Sequence, residues 1–102
     1  MISKYLERRI ELYLSEGIQT GGKIQVEYYL VESENGEIYG NAGDKVYGIE
    51  ISKKERDNYT ESEIIRNLYS NKDKTQDVLR LLAENTVTPV ELSAVLDDIM
   101  AL

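Results

Sequence analysis

Lys23-Ile24-Gln25-Val26-Glu27-Tyr28-Tyr29-Leu30-Val31-Glu32 is the stretch that decides the fold. Successive side chains of a strand point to opposite faces. Here Ile24, Val26, Tyr28 and Leu30 share one face, and Gln25, Glu27, Tyr29 and Val31 share the other. β-branched and aromatic residues, which suit a pleated, half-buried surface, dominate the run.

On its N-terminal side stands Gln19-Thr20-Gly21-Gly22, a turn signal because paired glycines accept positive φ freely. Residues 6–14 alternate in turn, with Leu6, Arg8, Ile10, Leu12 and Leu14 set against Glu7, Arg9, Glu11 and Tyr13. A helix also fits, since Ile2, Leu6, Ile10, Tyr13 and Leu14 fall on one side at 3.6-residue spacing. The strand is preferred because residues 23–32 supply its hairpin partner. On the C-terminal side, Asn35-Gly36 marks a second turn, and residues 37–45, with Gly40 and Gly43, read as a loop. Alternation resumes over residues 45–52, with Tyr47, Ile49 and Ile51 opposite Val46, Gly48 and Glu50. Gly48 inside a strand implies a bulge or a close neighbour. Lys53 to Ser62 reads as an exposed loop. Residues 63–69 read as a fourth, edge strand, with a short helix as the rival.

Two helices follow. Ser70 to Asn85 carries the stripe Val78, Leu79, Leu82 and Ala83, with Ser70 as its cap and Asn85 as a left-handed stop. Val87-Thr88-Pro89-Val90-Glu91-Leu92 is the sharpest local signal. Thr88 suits the N-cap, Pro89 the first helical position and Glu91 the third, where its carboxylate reaches back to the Thr88 N–H. Val87 and Leu92 stand where a hydrophobic staple needs them. Leu92, Val95, Leu96, Ile99 and Met100 then form one face of a helix over 89–101. The fold class is therefore α+β: an antiparallel meander of three to four strands, followed by two C-terminal helices packed on one sheet face. Its expected core is Ile10, Leu12, Ile24, Val26, Tyr28, Leu30, Tyr47, Ile49, Ile51, Leu79, Leu82, Leu92, Val95, Leu96 and Ile99.

Several segments together resemble a known family. Glu27-Tyr28-Tyr29-Leu30, Tyr47-Gly48-Ile49-Glu50-Ile51, Val87-Thr88-Pro89 and the closing Leu92-x-x-Val95-Leu96-Asp97-Asp98 are similar to a family of short uncharacterised bacterial proteins, a domain of unknown function found mainly in anaerobic Gram-positive bacteria. The resemblance runs from about Arg8 onward, and the closing motif is its most specific part. Members often carry His at the position of Glu91 and an acid at that of Ala94. This chain departs at both, which argues against a polar site on the last helix. The resemblance implies a bacterial cytoplasmic protein and brings no activity, ligand or catalytic residue.

The 102 residues suit a single domain spanning 1–102. With no Cys and no His in the chain, they hold no disulfide, zinc thiolate site, Ser–His pair or histidine switch. No catalytic residue, cofactor or metal is expected. The longest unbroken apolar run, Tyr28 to Val31, is far below the ~20 residues of a membrane span or the ~7–15 of a signal-peptide core. Cytoplasmic residence is the expectation. A net charge of −7 repels phosphate backbones and anionic lipid, so neither nucleic acid nor membrane is an expected partner. Gly40-Asn41-Ala42-Gly43-Asp44-Lys45 and Thr20-Gly21-Gly22-Lys23 lack the ending and the following helix of a phosphate-binding loop. Adjacent carboxylates on a helix point about 100° apart, so Asp97 and Asp98 do not converge on a substrate.

Two surfaces remain as candidates for interaction. Tyr13, Tyr29, Val31 and Val46 fall on the sheet face predicted to point away from the helices, a semi-apolar patch suited to a homodimer or a protein partner. Asp97 and Asp98 lie near a helix C-terminus, where the dipole disfavours anions. They imply exposure, neutralisation by Arg8, Arg9 or Arg66, or a basic partner. The expected function is a non-enzymatic protein acting through protein–protein interaction or self-association. The alternative is a small-ligand-binding regulatory domain with a pocket between sheet and helices near Tyr28 and Tyr47.

Overall fold

The computed structural model describes residues 2–13, 23–34, 45–55 and 60–101. β1 (Ile2–Tyr13), β2 (Lys23–Glu34), β3 (Lys45–Lys54) and β4 (Thr60–Tyr69) form one antiparallel sheet in the order β1-β2-β3-β4. α1 (Lys72–Glu84), a 3₁₀ turn (Pro89–Glu91) and α2 (Leu92–Met100) follow. The helices cover one face of the sheet, so the α+β class is as the sequence implies. The expected turns at Gln19–Gly22 and Asn35-Gly36, and the loop between Gly36 and Lys45, lie outside the described residues.

The alternation of β2 and β3 builds the core. Tyr28 pairs with Ile51, and Leu30 with Ile49. All four are essentially fully buried. Val78, Leu79, Leu82 and Ala83 of α1, Val87 of the link, and Leu92 and Leu96 of α2 close over them. Burying each such large aliphatic side chain contributes roughly 1.5–3 kcal/mol. Ile10, Leu12, Ile24, Val95 and Ile99 of the expected core are partly buried at its margins.

β1 runs further than its alternation shows, and a bulge breaks its register between Leu6 and Arg8. Arg8 pairs with Tyr28 but Leu6 pairs with Tyr29, so Leu6 lies on the face opposite to Ile10 and Leu12. The extra residue, Glu7, reverses the alternation. Lys53, Lys54 and Thr60–Ser62, expected in a loop, belong to strands instead. Lys53 pairs with Glu61, and charged cross-strand pairs of this kind sustain a ladder without apolar alternation.

β4 makes a wider irregularity. Tyr47 pairs with Tyr69 and Ile49 with Ile65, so Gly48 alone faces Arg66, Asn67 and Leu68. Asn67 takes φ 56°, a left-handed conformation that Asn tolerates well. A Cβ on Gly48 would collide with the Ile65 carbonyl oxygen and lie 2.8 Å from Arg66 Cα. Only glycine admits that approach.

The caps of α1 differ from expectation by one residue each, and the first turn of the helix expected over 89–101 is 3₁₀, the α-helix itself running from Leu92 to Met100. Asn71, not Ser70, caps α1, its Oδ1 accepting the Lys74 N–H at 3.0 Å. The left-handed residue after α1 is Thr86 at φ 50°, not Asn85 at φ −97°. The Thr86 N–H reaches Ala83 O at 3.1 Å and the Val87 N–H reaches Leu82 O at 3.0 Å, the paired bonds of a Schellman stop. At the next helix start, Glu91 Oε1 accepts the Thr88 N–H at 3.0 Å and its hydroxyl at 2.9 Å.

Candidate functional site

The outer sheet face is held by ion pairs. Glu27, almost wholly buried, accepts from Arg9 Nη2 at 2.7 Å, from the Tyr29 hydroxyl at 3.0 Å and lies 3.6 Å from Lys54 Nζ. Burial pushes its carboxyl up. The Arg9 and Tyr29 hydrogen bonds and the charges of Lys54 and Arg9 outweigh that, and hold it below the ordinary carboxylate range. Lys4 pairs with Glu50 at 3.2 Å and stands 5.1 Å from the centre of the Tyr29 ring. Burial first, then Glu27, pushes the Tyr29 phenol up.

Of the residues expected to form a patch here, Tyr29 is half-buried and tied to Glu27, and Val46 is half-buried. Val31 is only 1% exposed, set between Lys4 of β1 and Gly48 of β3. Tyr13 ends β1, and its side chain lies outside the described residues. Exposed apolar side chains on this face include Ile2, opposite Ser33, and the two ends of a row across all four strands in which Leu6, Tyr29, Glu50 and Ile64 are successive cross-strand partners. Leu6 and Ile64, both more than 40% exposed, stand at its ends, about 14 Å apart at the usual strand spacing.

Tyr28 and Tyr47 face the helices as expected, but inside the packing. Tyr28 is fully buried and donates to the Val87 carbonyl at 2.8 Å. An open groove of about 340 Å³ lies instead beside the two helices. Leu81, Leu82 and Asn85 of α1, Val87 of the link, and Glu91, Val95 and Ile99 line it. Leu82 and Val87 form its floor as core residues, whereas Leu81 is 43% exposed. The groove exists because α2 has two apolar stripes. Leu92 and Leu96 enter the core, and Val95 and Ile99, turned by about 60° from them, are left at the groove.

The chain that follows Arg80 carries charge of one sign. No Lys or Arg follows Arg80, while Glu84, Glu91, Asp97 and Asp98 do. Glu84, Asp97 and Asp98 are exposed. Among the described residues neither Asp97 nor Asp98 has an ion-pair partner, and Arg9 is committed to Glu27. By helical position Asp98 flanks Val95 on the solvent side, and Asp97 points further away. The Glu91 carboxylate is bound to Thr88, which holds it below the ordinary range. The sequence signal for this site was the Leu81-Leu82 pair together with α2's wide apolar arc, more than one sheet face requires.

Fold and site define a small α+β protein: a four-stranded antiparallel meander whose helix pair offers an open, acid-rimmed apolar groove. The chain belongs to the family of unknown function DUF6514, which it matches over residues 8–102. No curated protein and no solved structure matches it. No helix among the described residues is long and apolar enough to cross a membrane.

Proposed function

We propose that this is a non-catalytic bacterial protein of the cytoplasm that works by holding a protein partner on its helical end. The observation that carries the reading is the groove between α1 and α2, where Leu81 stands exposed and Val95 and Ile99, packed against the margin of the core, stay partly accessible. Apolar side chains at such an open site are a common mark of an interaction surface. The test is affinity capture from the native cell with wild type and Leu81→Lys in parallel, followed by reconstitution with the purified partner. Leu81 is exposed enough for the exchange to leave the fold intact. Loss of the partner with Leu81→Lys supports the reading, and identical capture by both proteins overturns it.

A second reading is self-association through the outer sheet face, favoured by the row Leu6, Tyr29, Glu50 and Ile64. A two-fold contact could lay two such rows across each other. Light-scattering masses decide it: a dimer that Tyr29→Glu dissociates supports it, and a monomer at high concentration removes it.

A further inference from the structure

We infer that the occupant of the α1–α2 groove is a cationic amphipathic helix from another protein, seated by aliphatic anchors and steered by the carboxylates of Glu84 and Asp98. The inference rests on the helical end being the binding surface and adds the chemistry of what binds there.

The shape argues for a helix. One wall of the groove is the stripe Glu91 of the 3₁₀ turn with Val95 and Ile99 of α2, spaced i, i+4, i+8. It runs for about 12 Å at 1.5 Å per residue, a little over two helical turns. A partner helix matches that length with apolar side chains at i, i+4 and i+7, the usual anchors of helix-in-groove recognition. The volume of about 340 Å³ takes a few aliphatic side chains and leaves the partner's backbone outside.

The charge argues for a basic partner. Residues 81–101 carry four acids and no base. Glu84 follows Leu81 by three positions on α1, and Asp98 follows Val95 by three on α2, so each lies within one turn of an apolar groove residue. Glu91 is occupied by Thr88, which leaves Glu84 and Asp98 as the rim carboxylates free to meet Lys or Arg. Rim charges of this kind set encounter rate and partner sign more than total affinity. The same field repels an acidic segment and disfavours a second copy of this chain, itself at −7.

The test uses the full chain and three labelled peptides of about eighteen residues. One has Leu at i, i+4 and i+7 with Lys elsewhere on an Ala background. The second keeps the Leu positions and carries Glu for Lys. The third keeps the Lys composition with the Leu positions scrambled. Saturable binding of the first, about tenfold or more tighter than either control, is expected. Methyl NMR shifts should centre on Leu81, Val95 and Ile99. Leu81→Lys should weaken binding about tenfold. The exposed pair Glu84→Gln with Asp98→Asn should weaken it less, and flatten its dependence on salt between about 0.05 and 0.5 M. Equal binding of the Glu peptide, equal binding of the scrambled peptide, or shifts confined to the sheet face overturns the inference. A native partner that Leu81→Lys loses, but whose binding is indifferent to salt and to the rim exchange, overturns only the cationic helix and leaves the helical end as the binding surface.

Discussion

The phenol of Tyr28 donates to the carbonyl of Val87 at 2.8 Å, tying the middle of β2 to the link between the two helices. Tyr28 is fully buried, and Val87 sits on the groove floor. This bond therefore fixes where α2 begins relative to the sheet, and with it the width of the groove. The sequence of eight Tyr and no Phe takes on meaning at this position, where the ring fills the core and the hydroxyl satisfies the carbonyl of a buried link residue outside both helices.

Tyr28→Phe keeps the ring and strands that carbonyl. The expected loss is about 1–3 kcal/mol of stability, the cost of an unsatisfied buried acceptor. Urea denaturation measures it. The pH dependence gives a second reading. Burial first, and then the charge of Glu91, push the phenol up to about 12 from the ordinary 10.0, against a smaller opposing effect of Arg8. The buried neutral phenol's contribution is complete below pH 10.0 and drains away as pH rises towards about 12, because the unfolded chain releases its proton first. Wild type should therefore lose stability faster than Tyr28→Phe across that window. Parallel curves would show that the phenol is not held in this way.

Gly48→Ala should cost about 2–3 kcal/mol or more, since the new methyl meets backbone rather than a side chain that can turn away. The Ile65 carbonyl and Arg66 Cα both occupy its place. Relief requires the β4 irregularity to shift, and with it Asn67, whose Oδ1 lies 3.4 Å from the Ser33 hydroxyl. Amide exchange checks the location: protection should fall at β4 before it falls at the β2–β1 pair. A variant as stable as wild type would mean that β4 sits elsewhere.

Most of the fold was legible because β2 alternates over residues 23–32 and β3 over residues 45–52, and their partners do not have to. Val26, Tyr28, Leu30, Ile49 and Ile51 could be read as core from spacing alone, and all are buried. What escaped were local breaks in period. Glu7 turns β1 over by one residue, and nothing in Leu6-Glu7-Arg8 distinguishes that bulge from regular alternation. Val31, read as outward-facing and open, is covered because central strands are flanked on both sides and β4 closes over Gly48. The groove was half visible, in the width of α2's apolar arc. How far α1 and α2 stand apart depends on the Thr86 stop, which pattern reading placed one residue early.

Thr86→Gly should stabilise the protein by about 0.5–1 kcal/mol. A β-branched residue at φ 50° bears a left-handed penalty of roughly 1–2 kcal/mol, and glycine removes it at an entropic cost of about 0.5–1 kcal/mol. The Schellman bonds from Thr86 and Val87 use backbone only, so they survive the exchange. A rise in thermal midpoint checks it. A fall would mean that the Thr86 side chain makes a contact worth more than the strain.

Glu27 on the outer face is a final, pH-resolved case. Its carboxylate is almost fully buried, while Arg9 and Lys54 are half exposed. Removing the charge by Glu27→Gln leaves two cations that can return to water, so the loss should be about 1–2 kcal/mol rather than the larger penalty of a pair buried on both sides. The sign with pH follows from the direction of the shift. Burial raises this carboxyl, but Arg9, Tyr29 and Lys54 together lower it further, to below 4.5. A group depressed in the folded state adds stability above 4.5, and that stability is lost as pH falls through the lower folded value. Wild type should thus converge on Glu27→Gln as the pH falls below 4.5 and through the lower folded value, and exceed it at neutral pH. The gap should be independent of protein concentration if this network belongs to the monomer. A gap that grows with concentration would instead place Arg9, Glu27 and Tyr29 in a contact between two copies, and would favour the sheet face over the helical groove as the working surface.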